Sequence, residues 1–281
     1  MSSRVSFEGQ TAVITGAGSG IGRALALNLA ERGCHLALAD IREQTLAETV
    51  EMLECHRQRR PQLRVSTHLL DVASREAIDA FPSAVLTEHS TVNLLFNNAG
   101  VAIEGDFREI KPADFEWLMD INFWGVVRMT RAFLPILERS ETAHITNISS
   151  LFGLIAPAGQ SAYVASKFAV RGFSDALRHE LEDGHIGVTV VCPGGVNTSI
   201  ARNARQSRDL APADLERRLA RGGGLRAVVL RVDVASTVER GADEAAPHLA
   251  PGRTLLREKS DVAPHLAFDM VASGDHELGG Q

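Results

Sequence analysis

Cysteine is scarce in this sequence, with only Cys34, Cys55 and Cys192 among 281 residues. The three lie far apart and form no Cys-x-x-Cys pair, which excludes a disulfide framework and a cysteine-based metal site. We therefore expect a protein of a reducing compartment, the cytoplasm. No apolar run approaches the length of about 18 residues that crosses a bilayer, and residues 1–10 lack the apolar region of a secretory signal. No membrane partner is expected.

Basic residues are fewer than acidic residues in this sequence. Lysine and arginine number 29 against 35 aspartate and glutamate residues, which gives a net charge of −6 and a pI near 5.9. A chain of this sign is repelled by a phosphate backbone, so we expect no nucleic-acid partner. The ten histidines show no His-Glu-x-x-His or other paired spacing, and we expect no metal.

Aromatic residues make up 5% of the chain, and Tyr163 is its only tyrosine. Lys167 follows four positions later, which on a helix places the ammonium on the same face, about 6 Å away along the axis. A nearby cation lowers the pKa of a phenol, as proton transfer to or from an alcohol requires. The alternative is an ordinary half-buried helix face, and the pair alone does not decide between the two.

Apolar runs of strand length alternate with segments of helical period. The runs are rich in β-branched residues, which favours parallel strands buried on both faces and covered by helices on both sides. Strands are predicted at 11–15, 35–40, 64–70, 92–96, 144–148 and 188–191, and helices at 21–32, 42–59, 112–137 and 161–181.

This pattern predicts an α/β protein with a Rossmann-type doubly wound parallel sheet in three αβα layers. A single domain is expected over residues 1–281. Residues 196–224 are polar and rich in arginine, which is typical of a mobile substrate lid. Residues 225–281 are predicted to form an atypical C-terminal segment.

A glycine-rich turn, Thr15 to Gly22 with the sequence TGAGSGIG, leads from the first predicted strand directly into a helix. Glycines let the backbone approach a ligand closely, and the free N–H groups at the start of a helix attract a pyrophosphate. The strict Gly-x-Gly-x-x-Gly spacing is not met, because Ile21 stands where the third glycine would be. Tight packing of the helix on the strand is the alternative, and the strand-turn-helix context favours a dinucleotide.

Acidic residues end the second and third predicted strands. Asp40 lies where a carboxylate would bond the hydroxyl groups of an adenosine ribose and repel a 2′-phosphate, which favours NAD over NADP. Arg42 could offset part of that repulsion. Asp71, which precedes Val72, could accept a hydrogen bond from the adenine amino group. For both aspartates the alternative is a helix N-cap.

Six features occur in one order along the chain: the glycine turn, Asp40, Asn97-Asn98-Ala99-Gly100, Ser149-Ser150, Tyr163-x-x-x-Lys167 and Pro193-Gly194. Together they resemble the short-chain dehydrogenase/reductase family in its classical form, over roughly residues 9–200. The resemblance implies an NAD(P)-dependent oxidoreductase that acts on a small-molecule alcohol or ketone. It also implies a homodimer or homotetramer, associated through the helices at 112–137 and 161–181.

The resemblance also assigns cofactor contacts to matching positions of this sequence. The pyrophosphate would lie on the glycine turn, and the nicotinamide carboxamide would lie against Val196 and Thr198. The full set implied for cofactor binding is Thr15, Gly16, Ser19, Gly20, Ile21, Gly22, Asp40, Asp71, Val72, Asn98, Ala99, Gly100, Tyr163, Lys167, Pro193, Gly194, Val196 and Thr198.

The catalytic residues implied by the resemblance are Asn122, Ser150, Tyr163 and Lys167. Tyr163, as phenolate, would take the hydroxyl proton of an alcohol, and Ser150 would bond the developing carbonyl oxygen. Lys167 would bond the ribose and lower the pKa of Tyr163. Asn122 would hold a water in a proton relay with the lysine. Ser149 is the second candidate for the serine.

The predicted function is hydride transfer between NAD(H) and a hydrophobic secondary alcohol or ketone. The apolar segment 151–157, which follows the serine, is the basis for the hydrophobic substrate. Arg202, Arg205 and Arg208 leave open an anionic substituent on the substrate, with solvated lid charges as the alternative. The other function class is a non-catalytic dinucleotide-binding sensor or interaction protein on the same scaffold, and the complete set of four catalytic residue types favours the enzyme.

Overall fold

Six parallel strands form the central sheet in the computed structural model, which describes residues 7–194, 200 and 204–206. In chain order the strands are β1 (Thr11–Thr15), β2 (His35–Asp40), β3 (Val65–Leu69), β4 (Leu94–Asn97), β6 (Ala143–Ile148) and β7 (Ile186–Val191), and their order across the sheet is β3-β2-β1-β4-β6-β7. Strand order reverses between β1 and β4, where an open α/β sheet has its ligand crevice. A separate parallel pair joins β5 (Ile103–Glu104) to β8 (Arg205–Gln206).

Helices cover both faces of the sheet. On one face lie α1 (Gly20–Glu31) and α2 (Glu43–Arg59); on the other lie α3 (Arg75–Glu88), α5 (Gly125–Leu137) and α6 (Ser161–Glu180). Helix α4 (Pro112–Met119) packs against α6 and β5. This arrangement confirms the predicted doubly wound sheet in three layers. None of the helices in the described part of the chain combines the length and the apolar character needed to cross a bilayer.

Burial of β1 illustrates why the sheet is an inner layer. All five of its residues are buried. Val13 packs into the core beneath α3, α5 and α6, whereas Ala12 and Ile14 pack into the core beneath α1 and α2. Successive side chains of a strand point to opposite faces, so an apolar run without alternation places apolar groups in both cores.

Four local features differ from the sequence prediction. The single helix expected at 112–137 is interrupted by a π-helical turn at Asp120–Trp124. Helix α3 was not predicted, although Ser74 caps it and Ile78, Phe81 and Val85 form its buried stripe. The short β5–β8 pair was not predicted either. Strand β3 lies at the edge of the sheet, where Leu69 is 68% exposed, so burial of every strand on both faces was wrong for this one.

Several predictions concern parts of the chain that the structure does not describe. Apart from residues 200 and 204–206, the predicted lid at 196–224 lies outside the described residues. The C-terminal segment at 225–281 lies outside them entirely, as do Val196 and Thr198.

Candidate active site

The turn after β1 places backbone N–H groups at the crevice of the sheet. Gly16 has φ 66°, and a Cβ there would lie 2.9 Å from Asn98 Nδ2, so both conformation and space require glycine. Ser19 precedes α1 in an extended conformation, and no side chain caps the helix. The first turn of α1 also holds no acidic residue. Its N–H groups and positive dipole end therefore suit an anionic ligand.

Packing also explains part of the glycine pattern. A Cβ on Gly22 would collide with the carbonyl oxygen of Gly16. Gly22 thus lets α1 lie directly on the turn, while Ile21 packs its side chain against the apolar cores. The packing interpretation of the glycine turn and the ligand interpretation are both consistent with the geometry.

Asp40 connects the end of β2 to the glycine turn. One carboxylate oxygen accepts from Gly18 N at 3.0 Å, and the other accepts from Arg42 N at 3.0 Å. Helix α2 has Arg42 at its N-cap position without a side-chain hydrogen bond. Asp40 is therefore not the cap of α2, and its buried carboxylate stands beside the turn.

Asp71 occupies an exposed position after β3. Its carboxylate accepts from Ala73 N at 2.9 Å. Ser74 accepts from Ala77 N and caps α3, so the N-cap alternative for Asp71 is wrong. Val72 is buried against Gly125, where a Cβ would lie 3.1 Å from the Val72 carbonyl oxygen.

The segment after β4 is tied to the turn after β1. Thr15 Oγ1 accepts from both Asn98 N and Ala99 N at 3.0 Å. In return, Asn98 Nδ2 donates to Thr15 O at 2.9 Å and to Gly16 O at 3.2 Å. These bonds bring Thr15, Gly16, Asn98, Ala99 and Gly100 together at the point where strand order reverses.

Ser150, Tyr163 and Lys167 lie close together at the carboxyl ends of the strands, the edge of the sheet that also holds the turns after β1 and β4. The Ser150 side chain lies near enough to Tyr163 to lower the pKa of the phenol. Lys167 Nζ lies 5.6 Å from the centroid of the Tyr163 ring and donates to Ile148 O at 2.9 Å. The helical spacing of Tyr163 and Lys167 and the position of Ser150 at the end of β6 bring the three polar groups together.

Burial sets the protonation of this group. Burial raises the pKa of Tyr163 above its usual value near 10, and the nearby Ser150 side chain opposes that rise. Burial lowers the pKa of Lys167 to about 8, with a smaller opposing effect from Cys192. The sequence predicts that Lys167 lowers the pKa of the phenol. Burial shifts this pKa in the opposite direction, because a phenolate loses its solvation inside the protein.

The two adjacent serines differ in what they bond. Ser149 is buried, and its hydroxyl donates to Lys167 O at 2.8 Å. Ser150 is half-buried, accepts from Phe152 N at 3.2 Å and reaches Tyr163. The geometry therefore favours Ser150 as the serine that faces a substrate.

Asn122 lies in the π-helical turn and is fully buried. Its Oδ1 accepts from Val101 N at 2.8 Å, while its Nδ2 donates to Val101 O at 2.9 Å and to Ser166 Oγ at 3.1 Å. Both amide hydrogens are thus used within the protein. A Cβ built on Gly100 would lie 3.2 Å from Asn122 Oδ1 and 3.6 Å from Lys167 Nζ, which places the three residues side by side.

Apolar side chains surround the polar group. The ring of Phe152 packs edge-on against Tyr163, with 6.1 Å between centroids. Leu154 and Ile155 follow and are 39% and 40% exposed. Pro193 O accepts from Leu151 N at 2.7 Å, so the Pro193-Gly194 segment borders the same wall.

One of the arginines considered for an anionic substrate has other partners. Arg205 forms an ion pair with Asp114 at 2.7 Å and stacks over the Trp117 ring at 3.5 Å. It therefore fastens β8 to α4. Arg202 and Arg208 lie outside the described residues.

Ser166 contacts the predicted set and was missed by sequence reasoning. It bonds Asn122 and the carbonyl oxygen of Tyr163. Its spacing is not distinctive, although its position directly before Lys167 was visible in the sequence. Phe152, from the predicted substrate segment 151–157, packs on Tyr163.

Comparisons with known proteins agree with this geometry. A family model described as "short chain dehydrogenase" matches residues 10–209. SadH of Mycobacterium tuberculosis, which is named as an oxidoreductase, is 52% identical over 201 residues, 71% of each chain.

Solved structures give the same result. A short-chain dehydrogenase/reductase from Burkholderia phymatum, crystallised with NAD, has a TM-score of 0.70 and 35% identity over 86% of each chain. A metagenomic short-chain oxidoreductase, crystallised with NADP, has a TM-score of 0.63 and 33% identity over 68% of this chain and 85% of that one.

Proposed function

The chain belongs to the short-chain dehydrogenase family of oxidoreductases, and we propose that it transfers a hydride between NAD(H) and a hydrophobic secondary alcohol or ketone. The observation that carries the proposal is the meeting of the Tyr163 and Ser150 hydroxyl groups with the Lys167 ammonium beside a glycine-lined crevice. Two hydroxyl groups and a cation in one place suit the proton transfer that accompanies oxidation of an alcohol.

The residues of the crevice fit a dinucleotide. The uncapped start of α1 offers N–H groups to a pyrophosphate, and the carboxylate of Asp40 stands beside the turn for the ribose hydroxyl groups. When bound, NAD supplies the acceptor or donor of the hydride. Thr15, Asn98, Ala99 and Gly100 would form the floor of this site, and Pro193 and Gly194 its far wall.

NAD is the proposed cofactor over NADP. The carboxylate of Asp40 is buried and accepts hydrogen bonds from two backbone N–H groups, which hold it in place. A fixed negative charge there repels a 2′-phosphate. Complexes of both cofactors are known among the structural neighbours, so the preference rests on Asp40 itself.

Each catalytic side chain has a separate role in the proposed reaction. Tyr163 holds the proton that passes between its phenolic oxygen and the substrate oxygen. Ser150 donates a hydrogen bond to the same substrate oxygen as charge develops on it. Lys167 holds the ribose with the N–H groups that Ile148 does not use. Asn122, beside the lysine, holds the water of the proton relay.

Because the pKa of Tyr163 is raised, the phenol has at neutral pH the protonation state that ketone reduction uses. Because burial keeps Tyr163 protonated, the residue is ready to give a proton to a ketone oxygen. In the oxidising direction it must first lose that proton, which Lys167 and Ser150 assist. The apolar ring of Phe152 against Tyr163, and the apolar segment 151–157 to which it belongs, suit a substrate with a hydrophobic body.

A homo-oligomer is also proposed. Trp124 and Phe168 are 46% and 40% exposed, although both are large and apolar. Trp124 contacts Phe123, which packs edge-on against Phe173 of α6 with 6.4 Å between centroids, and Phe168 lies on the same helix α6. A second copy of this chain would bury the surface, and apolar patches of this kind mark association sites.

Initial rates with a panel of apolar secondary alcohols and ketones, followed at 340 nm with NAD(H) and NADP(H), test the function. We expect turnover with NAD(H), higher on apolar than on charged substrates. Binding of NADH without turnover of any panel member would favour the non-catalytic sensor instead.

A further inference from the structure

Ser166 lies on α6 between Tyr163 and Lys167, the two residues of this helix that the proposed reaction uses. It is fully buried in α6, directly before Lys167 and three positions after Tyr163. Its hydroxyl donates to Tyr163 O at 2.7 Å and accepts from Asn122 Nδ2 at 3.1 Å. One side chain therefore joins the backbone at the tyrosine to the amide of the π-helical turn.

The carbonyl oxygen that Ser166 uses has a second partner. In an α-helix the N–H of residue i bonds the carbonyl of residue i−4, so the Tyr163 carbonyl accepts from Lys167 N within α6. A serine hydroxyl bonded back to its own helix changes the local curvature of that helix. Ser166 therefore acts on the backbone bond that links Tyr163 to Lys167.

Asn122 connects Ser166 to Val101 by hydrogen bonds. Its amide bonds both the N–H and the carbonyl group of Val101, the residue after Gly100. Gly100 in turn lies where a Cβ would be 3.6 Å from Lys167 Nζ. The bonds from Tyr163 O through Ser166 and Asn122 to Val101 thus end one residue from Gly100, which lies beside the ammonium of Lys167.

From these contacts we propose that Ser166 is a positioning residue for the reaction. Its hydroxyl group fixes the positions of Lys167 and Asn122 relative to Tyr163. The proposal rests on the function proposed above. Ser166 touches neither the substrate nor the cofactor, and it acts through the carbonyl oxygen of Tyr163 and the amide of Asn122.

The chain offers a matched control on the same helix. Ser174 is also fully buried, donates to Val170 O at 2.7 Å and accepts from Asn147 Nδ2 at 2.9 Å. Ser174→Ala removes the same kinds of bond as Ser166→Ala, two turns away from Lys167. A merely structural role for Ser166 predicts similar consequences for both variants.

The lone tyrosine supplies a readout that needs no substrate. In protein labelled with tyrosine carrying ¹³C at Cζ, the single signal belongs to Tyr163, because no other tyrosine exists in the chain. We expect Ser166→Ala to move this signal at neutral pH, where Lys167 carries its charge, because that charge is no longer held beside the ring. Ser174→Ala should leave the signal unchanged.

Kinetics complete the test. With NAD and 1-phenylethanol as the probe, Ser166→Ala should lower kcat by about tenfold or more, as expected when reacting groups are misplaced, and should move the pH profile. Ser174→Ala should alter only thermal stability. Absence of wild-type turnover on 1-phenylethanol and on every other member of the panel would refute the proposed function, whereas the labelled tyrosine would still report on Ser166.

Equal effects of the two variants on the tyrosine signal, or no effect of either, would overturn the proposal. If Ser166→Ala does not fold, Ser166→Cys decides, since a thiol keeps a weaker donor and acceptor in a similar volume. A tyrosine signal identical to wild type in Ser166→Cys would then contradict the positioning role, and a shifted signal would support it.

Discussion

Ser150, just past the end of β6, lies near enough to Tyr163, in the first turn of α6, for its side chain to lower the pKa of the phenol. Their positions come from different elements, one a residue that caps a short 3₁₀ turn and the other a residue on a long helix. A substrate oxygen that bonds both hydroxyl groups would be held at one fixed point of the crevice, next to Lys167.

Tyr163→Phe removes the phenolic hydroxyl and keeps the ring that packs against Phe152. We expect kcat to fall by about 10²–10⁴-fold, the usual contribution of a general acid or base. NADH affinity, measured by fluorescence titration, should change little because the ring and Lys167 remain. Turnover close to wild type in this variant would contradict the role of Tyr163, since no second tyrosine could replace it.

Asp40→Asn removes the charge beside the glycine turn and keeps one acceptor for Gly18 N. We expect the ratio of kcat/KM for NAD to that for NADP to fall about tenfold, equivalent to about 1.4 kcal/mol, because the 2′-phosphate is no longer repelled. Glu43→Gln is the control, since Glu43 is an exposed carboxylate in the first turn of α2. The same fall in both variants would point to general surface charge and away from a contact at Asp40.

The rate of ketone reduction should fall as pH rises through about 8. Burial lowers the pKa of Lys167 to about 8, so its ammonium loses the proton, and with it the charge, in this range. Tyr163, whose pKa is raised by burial, is still protonated there. Measurement of kcat/KM from pH 6 to 10 checks this, and a profile that stays flat up to pH 10 would exclude control by Lys167.

Acid should destabilise the fold between about pH 6.5 and pH 4. Burial, assisted by Arg178, lowers the pKa of His144 to about 4, and burial together with neighbouring cationic groups does the same for His89. Below pH 6.5 the unfolded chain binds protons that the folded chain does not, so stability is complete above that pH and is lost as pH falls.

His144 alone should account for about 3 kcal/mol over this window. Urea unfolding of His144→Gln should therefore show a shallower dependence on pH than wild type. The control is His179→Gln, because the His179 side chain is 77% exposed. An unchanged pH dependence in His144→Gln would show that this histidine is not the buried titrating group.

Phe168→Asp should dissociate the proposed oligomer, because a charge on the apolar face of α6 would be buried without a partner. Light scattering at micromolar concentration should show a larger mass for wild type than for the variant. Leu86→Asp on α3 is the control, since Leu86 has the same 40% exposure as Phe168. A monomeric wild-type protein would contradict the oligomer.

Sequence patterns were most informative where local chemistry decides the structure. The strands β1 and β6 follow apolar runs with β-branched residues, and the glycine turn lies between a strand and a helix as its composition predicts. Helix α3 was missed because Pro82 lies inside it and interrupts an otherwise readable helical pattern. The edge position of β3 was missed because strand order is set by contacts between distant segments.

In the candidate site, too, local spacing was predictable from the sequence and contacts between distant segments were not. Helical spacing alone predicted that Tyr163 and Lys167 share a face of α6. The bonds of Asn122 to Val101 and Ser166 could not be predicted, because they depend on the π-helical turn at Asp120–Trp124. The choice between Ser149 and Ser150 likewise needed coordinates to show which hydroxyl already bonds the backbone of Lys167.

The amino-acid sequence by itself determined the α/β class, the glycine turn and the residue types that the chemistry needs, since these follow from short-range spacing and from which side chains can carry a proton. Only the tertiary structure decided the protonation of those groups. Burial raises the pKa of Tyr163 and lowers that of Lys167, and the loss of solvation that causes both shifts exists only once distant segments have packed around them.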